Sequence, residues 1–336
     1  MPLVEEFSEA FGVWDIAQPY IHLMFDEEEM QLVVNMKGQA VTAEQAAALQ
    51  GTTPEQAAAL LERCFRRGIV DKVTVDGITS YRATDFYTRL DFFAKFENWN
   101  DIPPASRQAI DRRYLDEFIA RNRGKIEQLK RGEPVTGHLP NADIMLLREA
   151  EEMIEAADEI VVQPCDCRLL HQGCRRPVET CIAFNEYAAM VLARGHGRRL
   201  SKEEGLKLIR WADKRGLMHT SSIEWKEKGL VALCNCCACD CYPFRAGQEL
   251  GTKGLWPKVR FVAVHDRERC TLCGTCVKRC HFAAFYHDGT TVELDGKVKQ
   301  NVRFAAERCW GCGLCANTCP AQAISMESVA ETCQRL

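Results

Sequence analysis

Eighteen of the nineteen cysteines in this 336-residue chain lie after residue 160, and Cys64 alone precedes them. So many thiols in so short a stretch must either cross-link the fold or hold metal. The opening Met-Pro-Leu-Val-Glu-Glu-Phe-Ser-Glu-Ala lacks the basic and apolar blocks of a secretory leader. The expected compartment is therefore the reducing cytoplasm, where disulfides do not persist and clustered thiols hold metal. No apolar run reaches the length of a membrane span, so none is expected. Lys and Arg number 43 against 47 Asp and Glu, a formal charge of -4. That balance argues against a nucleic-acid backbone or an anionic lipid surface as the main partner.

The most specific pattern is a repeat. Residues 270–280 read Cys-Thr-Leu-Cys-Gly-Thr-Cys-Val-Lys-Arg-Cys, and residues 309–320 read Cys-Trp-Gly-Cys-Gly-Leu-Cys-Ala-Asn-Thr-Cys-Pro. Each is C-x2-C-x2-C-x3-C. Three thiolates on one tight loop can wrap three irons of a cubane, and Gly274, Gly311 and Gly313 allow the backbone to approach closely. Paired zinc sites do not use this spacing twice. The segment of about residues 262–327 resembles the two-cluster bacterial-type ferredoxin domain. That resemblance implies one [4Fe-4S] cluster on Cys270, Cys273, Cys276 and Cys319, and a second on Cys309, Cys312, Cys315 and Cys280. His281 stands where the family has Pro, and residues 282–307, with turn signals at Asp288-Gly289 and Asp295-Gly296, are longer than in the smallest members. His265, His281 and His287 receive no role, and Trp310 is expected to pack over the second cluster.

Eight ligands leave Cys64 and Cys333 as isolated residues and nine cysteines in two knots: Cys165, Cys167, Cys174 and Cys181, then Cys234, Cys236, Cys237, Cys239 and Cys241. One or two buried thiols can serve as small hydrophobes, but nine crowded ones repel on ionisation unless a cation neutralises them. All nine are candidate metal ligands, for one or two further iron-sulfur clusters or for zinc. If the second knot is extended, Cys234 and Cys236 point to one side and Cys237, Cys239 and Cys241 to the other. Arg168, Arg175 and Arg176 could offset cluster charge, and His171 or His219 could ligate metal or carry a proton. Ser201 caps an expected helix over residues 202–215, followed by a polar turn at residues 216–222 that would close the knots together.

The first half is helical. Residues 26–36 have helical periodicity, Thr42 caps a helix to Leu49, and Thr53-Pro54 opens another that ends before Gly68. Residues 69–81 read as a hairpin turning at Asp76-Gly77. Helix, helix-turn-helix, hairpin resembles the winged-helix domains of bacterial regulators over residues 26–85. The segment 53–67 carries a net charge of only +1, and residues 1–100 hold 8 Lys and Arg against 16 Asp and Glu, which would repel phosphate. DNA is therefore not an expected partner, and a docking or dimerising module is the alternative. Beyond it, residues 106–129 read as a long charged helix, 142–157 as an amphipathic helix and 159–163 as a strand leading into Cys165.

The expected fold is α+β: a winged-helix-like module (1–100), a helical connector (101–160), a Cys-rich α/β metal-binding domain (161–260) and a ferredoxin-like dicluster domain (261–336). The order of these parts resembles largely uncharacterised multi-cluster iron-sulfur proteins of anaerobes. The resemblance implies a cytoplasmic electron-transfer subunit that passes low-potential electrons singly to or from a partner oxidoreductase or another electron-transfer protein, and it is compatible with a homo-oligomer. The alternatives are a reductase with a catalytic, non-standard cluster at residues 165–241, or an iron-sulfur redox-sensing regulator. Dinucleotide-binding, P-loop and hydrolase motifs are missing from the sequence.

Overall fold

The computed structural model describes residues 2–135, 139–221 and 225–329. It is a mixed helix and sheet structure, in keeping with α+β. The chain forms two compact units. The first comprises the residues up to Phe118 with Cys165–Gln172 and Met190–His196; the second comprises Ile119–Pro164, Gly173–Ala189 and the chain from Gly197 on. The segment expected as a connector is thus divided between them.

In the first unit, local signals set the helices. Asp26, Thr42 and Thr53 each cap a helix through a reciprocal box with the third residue on, opening Glu27–Met36, Ala43–Gln50 and Pro54–Arg66. The strands Val70–Val75 and Ile78–Ala83 pair antiparallel around Asp76 and Gly77, both at positive φ (50° and 78°), as a two-residue hairpin turn requires. Phe7, Phe11 and Phe25 pack with ring centroids 4.7–5.3 Å apart. Beside them lies a half-buried ion cluster. Arg67 reaches Glu29 at 2.5 Å and Glu97 at 2.8 Å, Arg89 reaches Glu97 at 2.7 Å, and Arg63 approaches Glu29 at 3.5 Å, so guanidiniums surround both carboxylates.

The second unit is built on a six-stranded antiparallel sheet, ordered Asp143–Met145, Met218–Ser221, Ala232–Cys236, Glu179–Phe184, Ile160–Pro164, Arg198–Arg199. Alternation along the strands sends Met145, Leu233, Ile182 and Phe184 into one core with Met153, Ile154 and Ile209 from the helices Leu147–Ala156 and Lys202–Lys214. Ile144, Cys234 and Cys236 instead join Cys241, Phe244, Trp310 and Leu314 in a second core.

Two local expectations are corrected. The helix expected from residue 142 begins only at Leu147, because Asp143–Met145 is taken into the sheet by pairing with Met218–Ser221. That partner strand occupies the segment expected as a polar turn: His219, Thr220 and Ser221 are buried, and Ser222 lies outside the described residues. Among the described residues no helix is long and apolar enough to cross a membrane.

Candidate metal centres

The two Cys-rich repeats fold almost identically. Leu272 and Gly311 occupy equivalent places at positive φ (55° and 68°), as do Gly274 and Gly313 (70° and 78°), and Ala283 and Gln322 (52° and 50°). Each loop then opens a short helix, Thr275–Arg279 or Leu314–Asn317. The fourth cysteine of each repeat accepts a backbone hydrogen bond from the fourth residue on, Ala284 N–H to Cys280 Sγ and Ala323 N–H to Cys319 Sγ, both at 3.2 Å.

Folding crosses the repeats. Cys270, Cys273, Cys276 and Cys319 line one hollow, with His265, Val302, Ala323 and Ile324. Cys280, Cys309, Cys312 and Cys315 line another, with Phe285, Trp310 and Leu314. Burial pushes the Cys276 and Cys312 thiols up to about 12, with neighbouring cysteines adding to it. At the exposed Cys273, burial also acts upward but hydrogen bonding with Thr275 and Thr271 outweighs it, and the thiol lies below its ordinary range. Each hollow has walls of apolar side chains, four sulfurs and backbone N–H donors on sulfur, which is the donor set an iron-sulfur cluster takes.

Residues 269–323 match the family model of the 4Fe-4S dicluster domain. This segment therefore binds 4Fe-4S clusters. No curated protein and no solved structure matches the chain.

Around the dicluster core, a strand Phe261–His265 pairs with Ile324–Ser328, and the long insertion between the repeats forms the hairpin Phe285–Leu294 with Lys297–Phe304. Its turn is Asp295-Gly296, both at positive φ (51° and 69°), while the expected turn at Asp288-Gly289 is a bulge between His287 and Thr291. His281, in place of Pro, is within 2.7 Å of the Gly216 carbonyl through its Nε2. His287 Nδ1 lies 2.9 Å from the Asn301 carbonyl. Trp310 is buried and stacks on Phe282 at 4.6 Å, with Phe244 at 5.5 Å on another side.

The nine remaining cysteines do not stay in their two sequence knots. Cys165 and Cys167 belong to the first unit, at the N-cap and inside the helix Asp166–His171. In the second unit the other seven sort into two groups. One is a row. Cys181 and Cys234 are hydrogen-bond neighbours, as are Cys234 and Cys236, and the Sγ atoms of Cys236 and Cys241 are 3.4 Å apart. Asn141 Nδ2 approaches Cys236 and Cys241 at 3.5 and 3.6 Å, and Thr220 Oγ1 lies 3.3 Å from Cys236. The other group is compact: Cys174, Cys237, Cys239 and Asp240 offer ligand atoms all within 4.8 Å of one another.

Alternation holds for Cys234 and Cys236, which share a face of the strand Ala232–Cys236, but not beyond it. The chain turns after Cys236, Cys241 N–H bonds the Cys237 carbonyl at 3.3 Å, and Cys241 returns to the side of Cys236 as the N-cap of Tyr242–Glu249. Hydrogen bonding to Cys181 and Cys236 together with burial pushes the Cys234 thiol up, and contact with Cys237 together with burial does the same to Cys239. At Cys234 and Cys239 a neighbouring thiolate would add repulsion, and a bound cation reverses that balance.

Three residues of these groups were not singled out from the sequence. Asp240 lies between two cysteines, a signal that could have drawn it in; Asn141 and Thr220 are remote in sequence and carry none. Of the other candidates, Arg176 Nη1 is 3.8 Å from Cys239 Sγ, and His219 is buried with Nδ1 2.7 Å from Asn235 Oδ1. In the first unit Arg168 is buried, and His171 Nε2 is 3.9 Å from Asp111. Cys64 is buried, and burial, with the Glu29 charge next, holds its thiol in the protonated form. Cys333 lies outside the described residues.

Proposed function

We propose that the chain is an electron-transfer subunit that exchanges low-potential electrons one at a time with a partner oxidoreductase or electron-transfer protein. The observation that carries this reading is the pair of crossed four-cysteine hollows in the dicluster domain. One cluster is held by Cys270, Cys273, Cys276 and Cys319, the other by Cys309, Cys312, Cys315 and Cys280. Bound [4Fe-4S] clusters would supply one-electron chemistry; the chain's own residues shield them, donate N–H groups to the cysteine sulfurs that hold them and set the spacing between them.

A further iron-sulfur cluster is assigned to Cys181, Cys234, Cys236 and Cys241. The row suits a binuclear iron-sulfur centre rather than a cubane, because adjacent sulfurs such as Cys236 and Cys241, 3.4 Å apart, can take the same iron. Its packing supports a relay: Cys234, Cys236 and Cys241 share a core with Trp310, Leu314 and Cys312 of the second repeat. Metal ligation by Cys165 and Cys167 is read from the sequence pattern. The helices and hairpin of residues 26–85 are assigned as a winged-helix-like docking module, their acidity favouring a protein partner over DNA.

Anaerobic purification with iron and sulfide quantification tests the reading. The expected content is about 10 iron per chain, with reduced-state EPR signals of coupled clusters; about 8 would remove the additional cluster, and fewer than about 4 would overturn the dicluster assignment. Pull-down should recover a redox partner. Reduction of a small substrate by the isolated chain would instead favour a reductase, and salt-sensitive binding of genomic fragments would favour a regulator.

A further inference from the structure

We propose that Cys174, Cys237, Cys239 and Asp240 hold a single divalent ion of the zinc type in a closed tetrahedral shell of three sulfurs and one oxygen, separate from every iron-sulfur centre. This deepens the reading of the cysteine knots as metal-binding, but it does not depend on electron transfer.

The geometry is that of one ion. Zinc–sulfur bonds of about 2.3 Å at tetrahedral angles place two sulfurs about 3.8 Å apart, and with a zinc–oxygen bond of about 2.0 Å a sulfur and an oxygen stand about 3.5 Å apart. Cys174 and Cys237 Sγ are 3.9 Å apart, and Cys237 Sγ is 3.6 Å from Asp240 Oδ2. Cys174 Sγ is closer to that oxygen, at 2.9 Å, the distance of a thiol hydrogen bond that metal binding would replace. Ligands of a cubane each extend outward from their own iron and stand farther apart. Among the described residues, the eight dicluster cysteines accordingly form no group as tight as this one.

Asp240 is prepared for the role. Its side chain is wholly buried; Oδ1 accepts the Gly173 N–H at 3.1 Å, which leaves Oδ2 facing the thiols. A carboxylate and three thiolates gathered in one shell require a cation, and a divalent ion leaves two negative charges for neighbours such as Arg176 to offset. Ala212 and Leu217 close the site from behind. With four protein ligands the shell has no open position, which is the mark of a structural rather than a catalytic ion.

The site has a purpose in the fold. It ties the Gly173–Cys174 loop to the turn after Cys236, and two of its ligands, Cys237 and Asp240, are the chain neighbours of Cys236 and Cys241. Closing the tetrahedron therefore sets where those two thiols of the adjacent row point.

The test uses the full chain purified anaerobically, with zinc and iron measured in the same sample and zinc-edge X-ray absorption recorded. We expect about one zinc per chain with a shell of three sulfurs and one oxygen. Zinc below about a tenth per chain, or a shell of four sulfurs, would overturn the proposal. In Asp240→Asn, competition with a chelator should show zinc held at least about tenfold more weakly while the dicluster EPR signals persist; unchanged zinc affinity would also overturn it. Should that variant not fold, the absorption measurement on the unaltered chain decides the matter. Missing dicluster signals in the unaltered chain would count against the electron-transfer reading and leave the zinc result standing.

Discussion

At the scale of single residues, the same chemical change has very different consequences at different glycines. Gly311 and Gly12 both have positive φ (68° and 69°), yet a Cβ at Gly311 would lie 2.2 Å from the Phe261 carbonyl oxygen, whereas at Gly12 it would meet nothing within 4 Å. Gly12→Ala should lose only the left-handed preference, about 1 kcal/mol by chemical denaturation. Gly311→Ala must displace a strand backbone, and we expect loss of about four iron per chain with the EPR signal of the second repeat, since its loop can no longer close. The need for a small residue at 311 is legible in the motif, but the carbonyl that enforces it is not, because Phe261 is fifty residues away. His196 gives a prediction in pH. Its ring stacks on Phe96 at 3.7 Å, its Nε2 is 2.7 Å from the Arg66 carbonyl, and burial, with Lys95 and Arg194 nearby, holds its pKa below the ordinary value. A depressed histidine favours the folded state above the unfolded pKa of about 6.5, and that contribution is lost as pH falls through the folded value. NMR titration should place His196 below the ordinary histidine value of about 6.5, and stability should decline on acidification over that window.

At the scale of elements, caps and charges decide. Thr53→Ala removes the hydroxyl that closes the box on Gln56 and should cost about 1 kcal/mol, measured by denaturant titration. Glu97→Gln should cost about 3 kcal/mol in the same assay, because the fully buried Arg89 then keeps its charge without the carboxylate that balances it. The caps were readable in advance since each lies within four residues of the group it satisfies. The ion cluster was not, for its members span residues 29 to 97. The same contrast explains the helix that starts late: residues 143–145 suit helical periodicity, but the strand Met218–Ser221 offers them backbone partners that local pattern cannot reveal.

At the scale of the whole molecule, the proposed crossed ligation makes a prediction that no single motif contains. Cys280→Ser lies in the first repeat but should remove the signal of the cluster held by the second, and Cys319→Ser should do the converse; EPR of the reduced variants distinguishes the two outcomes. Residue spacing along the chain marks the eight cysteines proposed as dicluster ligands, because a loop that wraps a cluster is local and its three thiols must recur at short, regular intervals. It was also enough to mark the other nine as metal-binding candidates. Which of those nine stand together was settled only by folding: Cys174 meets Cys237 across 63 residues, and Cys241 parts from Cys237 and Cys239 to rejoin Cys236. Spacing along the chain carries no information about such encounters, since the distance between two loops is set by the order of strands in the sheet that carries them.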